Sequence, residues 1–575
     1  APKIQAEFSA EIGRPEESRA DILVTSARNV WRGVAIPGLE IRATMAEGVL
    51  KLERFQLILE RGGIEAYGSA DFSGGKGGLE FSGLVDPARM APAFGPSAAY
   101  ALKEFRSQQM PRLNGKVEAA WKGEPSFFAS CNLELGEFRL GLFPFRGLHV
   151  PWVTDGKRWM VQGFKLEASS GEALEMQLAF DGKAELKGTL HSDMDLHGLA
   201  PLFGPTAAPF WSSVEFAHPP QLNFRIMGAG FSSDLIRLEG QMNVAGMKYK
   251  GVPLDTLSAD LVYAAREIRA TNVRVTSGGG EGKGEIRYTF DPRFVSFHHA
   301  ESTLPVREFS HVFGDKVEET LKPYHFIDRP FVTLEGRIDL EEKFRTKMTA
   351  TGKSSAGLKY VVAGQELHFR DVDLEVRIEG NEKDGSRTTV KTRENRWASL
   401  LGGKVSVEVE VEGPAGKKKQ RTRIGLEGVN FGETVKIYFG NNGYGGSLST
   451  DRECEFEGPS GADSWRQWTG SGKLKVEDGK FPGLGNFAKT INAPLEWMEN
   501  LGEGASLEFE LGNGRLDVKR LKIFSKLVET TGHGFYDITA DRLENFFMKQ
   551  NLIGPMGLPF MPVSEMLEVE GSGSL

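Results

Sequence analysis

Residues 405–412 read VSVEVEVE, the clearest of several stretches in which apolar and polar side chains alternate. Successive side chains of a β-strand point to opposite faces, so this stretch places four valines on one face and polar groups on the other. Three further stretches share the pattern: 222–226 (LNFRI), 374–378 (LEVRI) and 507–511 (LEFEL). The sequence therefore predicts antiparallel sheets with one apolar face and one solvated face.

Composition narrows the classes of protein to which the chain can belong. Its 575 residues are 40% hydrophobic and 26% charged, with a formal net charge of -8 and 70 glycines. This length is several times that of a usual domain, which favours either several domains or one repeat array. An acidic chain without a basic stripe argues against a nucleic-acid partner, and the many glycines predict frequent turns.

The two cysteines, Cys131 and Cys454, lie too far apart in sequence for a metal-binding pair or a disulfide framework. We expect two free, buried thiols, although a bridge between them is possible in an oxidising compartment. No stretch approaches the ~18–20 apolar residues that cross a bilayer, and the first residues do not resemble a signal peptide. Because the chain begins at Ala1, a removed leader or membrane anchor remains open.

Two sequence markers recur in the same order along the chain. The first is an aromatic residue, a base and a glycine, at 31–34 (WRGV), 145–148 (FRGL) and 249–252 (YKGV), with a degenerate copy at 360–364 (YVVAG). The second is a Phe-Gly pair at 94–95, 203–204, 313–314 and 439–440. Such a period indicates a repeat architecture. We predict four β-groove repeats, at 1–120, 121–230, 231–340 and 341–460, followed by a C-terminal module at 461–575.

Helical patterns are scarce and fall near the Phe-Gly pairs, at 87–105, 306–322 and 434–439. Each repeat is therefore expected to contain several antiparallel strands followed by a short helix or loop that crosses the sheet. One short helix per repeat is too little to cover an apolar sheet face. The polar insertion around 379–396 is expected to be a loop.

The C-terminal part of the chain contains several glycine-rich and alternating stretches: 469–481 (TGSGKLKVEDGKF), the apolar segment 484–501, 511–516 (LGNGRL), 521–525 (LKIFS) and 532–538 (GHGFYDI). In these stretches the chain resembles the AsmA-like family of lipid-handling proteins. An upstream stretch at 251–259 (GVPLDTLSA) is also typical of such proteins. The resemblance covers about the last 350 residues and consists of glycines and alternation rather than a catalytic signature.

This resemblance implies an elongated, repeating antiparallel β-groove, apolar inside and polar outside, with a few short helices. Family members are typically tethered to the inner membrane, extend into the periplasm, and are associated with phospholipid movement and outer-membrane integrity. The expected function is thus a bacterial envelope protein that holds or conducts lipids. Its expected partners are phospholipids or other acyl lipids, an inner or outer membrane surface and further envelope proteins. The expected location is the periplasm; because the family's N-terminal membrane helix is absent from this sequence, association with a membrane would rely on a segment outside this chain.

The residues expected to face lipid are the apolar members of the alternating stretches. They are Leu222, Phe224, Ile226, Leu374, Val376, Ile378, Val405, Val407, Val409, Val411, Leu507, Phe509 and Leu511. A second set, in an apolar segment broken by glycine and proline, is expected to contact a membrane or to cap the last sheet. It comprises Phe546, Phe547, Leu552, Ile553, Leu558 and Phe560.

No catalysis, cofactor or metal is expected from the polar motifs. The stretch 191–197 (HSDMDLH) would place two histidines and two aspartates on one strand face, where closely spaced positions diverge rather than converge on one ion. His298, His299 and His311 flank a predicted turn and helix without a nucleophile nearby and are expected to be surface or capping residues. The glycine cluster 278–284 lacks the ending of a phosphate-binding loop and predicts a hairpin turn. Glu408, Glu410 and Glu412 are expected on a solvated face.

Two other classes of function remain open. The first is a non-enzymatic β-solenoid scaffold for protein interactions in the envelope, with a dry core that its own side chains fill. The second is a polysaccharide-active β-repeat enzyme, which would require exposed aromatic residues and convergent carboxylates on one face. The sequence provides no such cluster.

Overall fold

Strands dominate the protein. The computed structural model describes residues 3–9, 19–95, 99–100, 102–181, 185–203, 211–229, 234–309, 324–341, 346–362, 364–381, 385–393, 397–414, 417–460, 465–481, 503–525, 528–538, 540, 542–552 and 568–574. These residues form 39 strands and a few short helices, which confirms the mostly β class. The chain divides into two compact units: 1–278 with 287–290, and 279–286 with 291–575.

Unit 1 contains the first nineteen strands, which pair antiparallel mainly with their neighbours in sequence. The strands are β1 Lys3–Ser9, β2 Arg19–Trp31, β3 Val34–Ala46, β4 Val49–Ile58, β5 Gly62–Asp71, β6 Lys76–Val85, β7 Phe105–Ser107, β8 Arg112–Ala120, β9 Ser126–Leu135, β10 Phe138–Leu140, β11 Phe143–Thr154, β12 Trp159–Ala168, β13 Ala173–Phe180, β14 Leu186–Ser192, β15 Val214–Phe216, β16 Gln221–Gly228, β17 Ile236–Tyr249, β18 Val252–Ala264 and β19 Glu267–Ser277.

Unit 2 contains the remaining strands, except that the end of β20 belongs to unit 1. They are also antiparallel. The strands are β20 Gly280–Phe290, β21 Arg293–Ser302, β22 His325–Phe326, β23 Phe331–Asp339, β24 Lys347–Ser354, β25 Leu358–Val362, β26 Gln365–Arg370, β27 Val372–Asn381, β28 Gly385–Thr392, β29 Ala398–Leu400, β30 Gly403–Glu412, β31 Lys419–Glu427, β32 Val429–Asn430, β33 Gly445–Pro459, β34 Thr469–Lys480, β35 Gly504–Gly512, β36 Arg515–Phe524, β37 Val528–Asp537, β38 Arg542–Leu552 and β39 Glu568–Ser574.

The aromatic-base-glycine marker is a tight hairpin turn in most of its copies. Between β17 and β18, Lys250 and Gly251 have φ angles of 49° and 80°, which is the conformation of the two-residue turns that suit twisted strands. The turn between β2 and β3 is the same, and in both copies the base lies 5.6 Å from the centroid of the preceding aromatic ring. The copy at 145–148 instead lies inside β11 at a β-bulge.

The helices differ from the predicted bounds, and the helix predicted at 306–322 lies outside the described residues from 310 onward. Their bounds are Pro87–Met90, Val306–Phe309 and Phe431–Phe439, with 3₁₀ turns at Ala91–Phe94, Leu196–Phe203 and Trp465–Gln467. The pattern at 87–105 does not form one helix, because Gly95 takes a φ of 100° and Phe105 begins β7. The helix expected at 434–439 begins earlier, where the side chain of Asn430 accepts a hydrogen bond from the Glu433 N–H.

The prediction of a loop at 379–396 is wrong for most of this segment. Residues up to 381 continue β27, and residues 385–392 form β28, which pairs with β27 along its whole length. The β-branched residues Thr388, Val390 and Thr392 explain this, since they favour strands even in a polar segment. At the glycine cluster, Gly278 and Gly279 have positive φ angles and β20 begins at Gly280, so the expected turn is confirmed.

Candidate functional site

One sheet face of unit 1 consists mostly of apolar side chains and glycines. Directly paired residues of antiparallel strands share a face, so the pairing traces each face from strand to strand. Phe224 of β16 pairs with Leu190 and Gly240, and Leu190 pairs with Met176. The face formed by these residues and their paired neighbours across the unit is called here the unit-1 apolar face. Its members include Val24, Ile41, Phe81, Val117, Met176 and Leu190.

Unit 2 has a corresponding face, called here the unit-2 apolar face. Val376 pairs with Ala350 and Val390, and Val390 pairs with Val409. Further along, Leu507 pairs with Leu474 and Leu521. Several polar side chains interrupt this face where β28 and β31 contribute to it, namely Thr388, Thr392, Gln420 and Thr422.

All thirteen residues predicted to face lipid lie on these two faces, three in unit 1 and ten in unit 2. Within the second predicted set, Phe546 lies on the unit-2 apolar face beside Gly532. Phe547 lies on the opposite face, where its ring centroid is 5.2 Å from that of His533. Leu552 ends β38, but its side chain lies outside the described residues, as do Ile553, Leu558 and Phe560. Contact of either set with lipid stays a prediction.

The apolar faces are only half-buried in the middle of the strands. Along β13, Glu175 and Gln177 are exposed, whereas Met176 and Leu178 are half-buried. The same alternation of exposed and half-buried residues runs the whole length of β6. Inward-facing residues of two packed sheets would be fully buried. Neighbouring side chains of the same sheet therefore shield these residues, and no second layer of described residues covers them completely.

The clusters of buried apolar residues lie at one set of strand ends, called here the closed rim of each unit, although single buried residues such as Leu186 lie elsewhere. In unit 1, Phe145, Ala168 and Met194 are 0–1% exposed and pack where the 3₁₀ turn Leu196–Phe203 meets the ends of β9 to β14. In unit 2, the corresponding strand ends form clusters around Leu358, Val405 and Val429. Part of this closed rim is covered by Ile437 and Tyr438 of the helix Phe431–Phe439. Among the described residues, the short crossing elements thus cover one edge of the apolar face.

The opposite strand ends of unit 1 are hairpins that carry aromatic side chains, and they are called here the hairpin rim. It comprises Phe72, Trp121, Phe127, Trp159 and Phe180. The first four are 42–47% exposed, an unusual state for large aromatic residues. Ring centroids of Phe72 and Trp121 are 5.9 Å apart, and Trp159 pairs directly with Phe180. The two edges of the unit-1 apolar face therefore differ, one dry and packed, the other open and aromatic.

The other sheet face is polar. In unit 1, the Tyr67 hydroxyl donates a hydrogen bond of 2.6 Å to Glu80, and this bond raises the pKa of Tyr67. In unit 2, Arg423 lies 3.1 Å from a carboxylate oxygen of Glu408 and 3.4 Å from one of Glu455. Glu408 is thus paired with an arginine across the strands, as is Glu410 with Arg387.

The histidine and aspartate motif at 191–197 does not share one strand face, contrary to the prediction. Strand β14 ends at Ser192, and a 3₁₀ turn begins at Leu196. His191 Nδ1 lies 2.6 Å from the side-chain oxygen of Asn223. His197 turns away into the closed rim, where its Nδ1 lies 2.8 Å from Asp195 and its Nε2 lies 2.7 Å from the carbonyl oxygen of Val214.

His298 and His299 lie in β21, shortly before the helix Val306–Phe309, and both bind Glu335, through Nδ1 and the backbone N–H respectively. His311 lies outside the described residues. Both cysteines are free thiols whose pKa is raised by burial, although Cys131 is only half-buried.

Within the described residues, no group of three or more histidine, cysteine, aspartate or glutamate side chains could hold a metal ion. No helix in that part of the chain is long and apolar enough to span a membrane. The chain matches no protein-family model, no curated protein and no solved structure.

Sequence reasoning missed most of the unit-1 apolar face and the whole hairpin rim. The face could have been found by the rule that identified β30, since 173–180 (ALEMQLAF) and 76–85 (KGGLEFSGLV) also alternate. The rim had no signal in single strands, because its residues become neighbours only when successive hairpins are placed side by side.

Proposed function

We propose that this protein is a non-enzymatic component of the bacterial cell envelope that holds or conducts acyl lipids, phospholipids above all. The observation that carries the proposal is the half-buried apolar face in each unit. Exposing apolar surface costs about 25 cal/mol per Å², so hundreds of Å² do not remain open to water without an apolar partner.

Acyl chains suit such a face better than a folded partner that recognises defined contacts. The face offers few hydrogen-bonding groups, and aliphatic and aromatic side chains repeat along it with little change. A flexible hydrocarbon chain fits many positions on a surface of this kind, whereas selective recognition depends on a few placed polar groups. In this proposal each sheet curls into a gutter with the apolar face inside.

The envelope location rests on the resemblance to the AsmA-like family together with this face. In the proposed setting the protein operates in the periplasm, associates with an inner or outer membrane surface, and supports outer-membrane assembly and integrity. Moving a lipid along the face neither makes nor breaks a covalent bond, so the proposed function needs no catalytic residues. The ion pairs of Glu408 and Glu410 with arginines agree with this.

Native mass spectrometry of protein purified without detergent, combined with lipid extraction, tests the proposal. Leu178→Asp places a charge on the unit-1 apolar face, and Gln177→Asp places the same charge on the opposite face of the same strand. Val407→Asp is the equivalent change in unit 2. We expect phospholipid to co-purify with the parent protein and with Gln177→Asp, and to be depleted in the face variants. A folded parent protein that carries no lipid would contradict the proposal and favour the protein-interaction scaffold.

A further inference from the structure

We propose that the hairpin rim of unit 1 is the headgroup edge of the lipid site: a bound amphiphile lies along the strands, with its anionic head held by Lys157 and Arg158. This inference rests on the proposed function and adds the orientation and the charge of the ligand.

The placement of the lipid head at the hairpin rim is argued first from the difference between the two rims. The closed rim is packed with fully buried side chains such as Phe145 and Met194, and its polar residue His197 is already paired with Asp195 and the Val214 carbonyl oxygen. The hairpin rim exposes Trp121, Phe127 and Trp159 beside charged turn residues. Amphipathic aromatic rings beside charged groups are the chemistry that proteins present at the boundary between hydrocarbon and water.

The orientation follows from the cost of placing a charged head on an apolar surface. A lipid lying across the strands would hold its head over the middle of the face, where the head would lose water without gaining hydrogen bonds. A lipid lying along a strand avoids this cost, because its head reaches the rim. The eight residues of β13 span roughly 26 Å, which exceeds the ~15 Å that one acyl chain occupies in half of a bilayer core.

The charge of the head follows from the turn between β11 and β12. The Asp155 carboxylate accepts hydrogen bonds from the backbone N–H groups of Lys157 and Arg158, at 2.9 and 2.6 Å, and these bonds lower its pKa. The carboxylate therefore shapes the turn and also attracts Arg158, while the exposed Lys157 and Arg158 side chains form no ion pair within 4 Å and no side-chain hydrogen bond with any described residue. Two cations directly before Trp159 suit a phosphate or carboxylate head.

A neighbouring hairpin extends this cationic edge. The Lys122 ammonium group donates a hydrogen bond of 2.8 Å to the carbonyl oxygen of Ser73, which ties the hairpin of Trp121 to that of Phe72. The rings of Phe72 and Trp121 lie next to each other across this contact. Aromatic and cationic side chains therefore occur at more than one hairpin of the rim.

Stearate carrying a nitroxide spin label at carbon 5 or at carbon 16 tests the orientation on the full chain. The label quenches nearby tryptophans, and the signal of Trp159 is the difference between the parent protein and Trp159→Phe. We expect the carbon-5 label, close to the carboxylate, to quench Trp159 more than the carbon-16 label. Equal quenching, or stronger quenching by carbon 16, would overturn the orientation while leaving lipid binding intact. Absence of binding of either label would contradict the proposed function itself.

The charge is tested with Lys157→Gln/Arg158→Gln against Lys103→Gln/Arg139→Gln, which removes two equally exposed cations near the closed rim. We expect the first pair to weaken binding of the carbon-5 label by roughly threefold to tenfold and the second to leave it unchanged. Equal affinity of the two double variants would overturn the assignment. Inorganic phosphate should not displace the label at millimolar concentration; displacement that depends on Lys157 and Arg158 would show a site for free anions instead of a lipid head.

Discussion

Phe509 lies directly across from Gly472, and its ring occupies the space that a side chain at Gly472 would fill. A β-carbon on Gly472 would lie 2.7 Å from Phe509 Cζ and would also collide with Cys454 Sγ. Phe509 is 7% exposed and stacks on Phe456, whose own partner across the strands is Gly470. The same pairing occurs in unit 1 between Phe81 and Gly115. A ring that lies flat over a glycine buries the ring without a second layer and leaves a shallow apolar floor.

Gly472→Ala should therefore destabilise unit 2 and push Phe509 off the sheet. We expect a loss of about 1–3 kcal/mol, the usual cost of an extra group in a packed region. Urea unfolding followed by fluorescence measures this loss. Gly512→Ala on the adjacent β35 is the control, because a β-carbon there meets nothing within 4 Å. Equal stability of the two variants would show that Phe509 moves without cost.

Phe145→Ala should be among the most damaging single changes in unit 1. Phe145 is 1% exposed, and its ring stacks on that of Phe138 with centroids 4.7 Å apart. Truncation of a buried phenylalanine costs about 3–5 kcal/mol. Phe72→Ala, at the hairpin rim, removes a ring that is 47% exposed and should cost far less. Thermal unfolding compares the two variants, and similar midpoints would contradict a core confined to the closed rim.

The contribution of His197 to stability should depend on pH. Burial lowers the pKa of His197, but hydrogen bonds to Asp195, Val214 and Trp211 outweigh it and raise the pKa above the ordinary 6.5. The protonated ring donates from both nitrogens. This stabilisation is complete below the unfolded pKa and is lost as the pH rises through the folded value.

His197→Gln should consequently cost more stability at pH 5.5 than at pH 9. Thermal unfolding of the parent protein and the variant across this range measures the difference, and Asp195→Asn in the parent should reduce the pH dependence. A penalty for His197→Gln that stays constant with pH would mean that the histidine acts only through its neutral form.

The turn at Gly251 should require glycine because of its positive φ angle, and not because a side chain would lack space there. Its φ is 80°, and a β-carbon there would meet nothing within 4 Å. Gly251→Ala should cost about 1–2 kcal/mol, the penalty of the left-handed conformation for other residues. Gly352→Ala, which has equal space and no positive φ, should be close to neutral. Chemical denaturation compares the two, and equal effects would contradict the role of the turn.

The sequence predicted what depends on local pattern. Alternation located β16, β27, β30 and β35, and the aromatic-base-glycine marker corresponds to a turn whose base lies against the aromatic ring. The length of the helix predicted at 87–105 was overestimated because apolar spacing did not reveal that Gly95 takes a positive φ. The loop prediction for 379–396 was wrong because the polarity of the segment was given more weight than the β-branched residues of β28.

The candidate site was only partly predictable, because it is a property of many strands together. Alternation indicates that Phe224 and Gln221 point to opposite faces, but it does not show that Phe224, Leu190 and Met176 form one row. The burial of the closed rim also depends on elements distant in sequence, as where Ile437 packs near Val405. The five predicted modules remain a prediction from the spacing of the markers.

Site-specific photocrosslinking in cells tests the central claim most directly. A benzophenone amino acid at position 178 faces outward from the unit-1 apolar face, and the same group at position 177 faces outward from the polar side of the same strand. Cells grown with radiolabelled phosphate report whether phospholipid becomes attached to the protein. The account predicts labelling at position 178 and little at position 177. Equal labelling at both positions, or none at position 178 in a folded and correctly located protein, would contradict it.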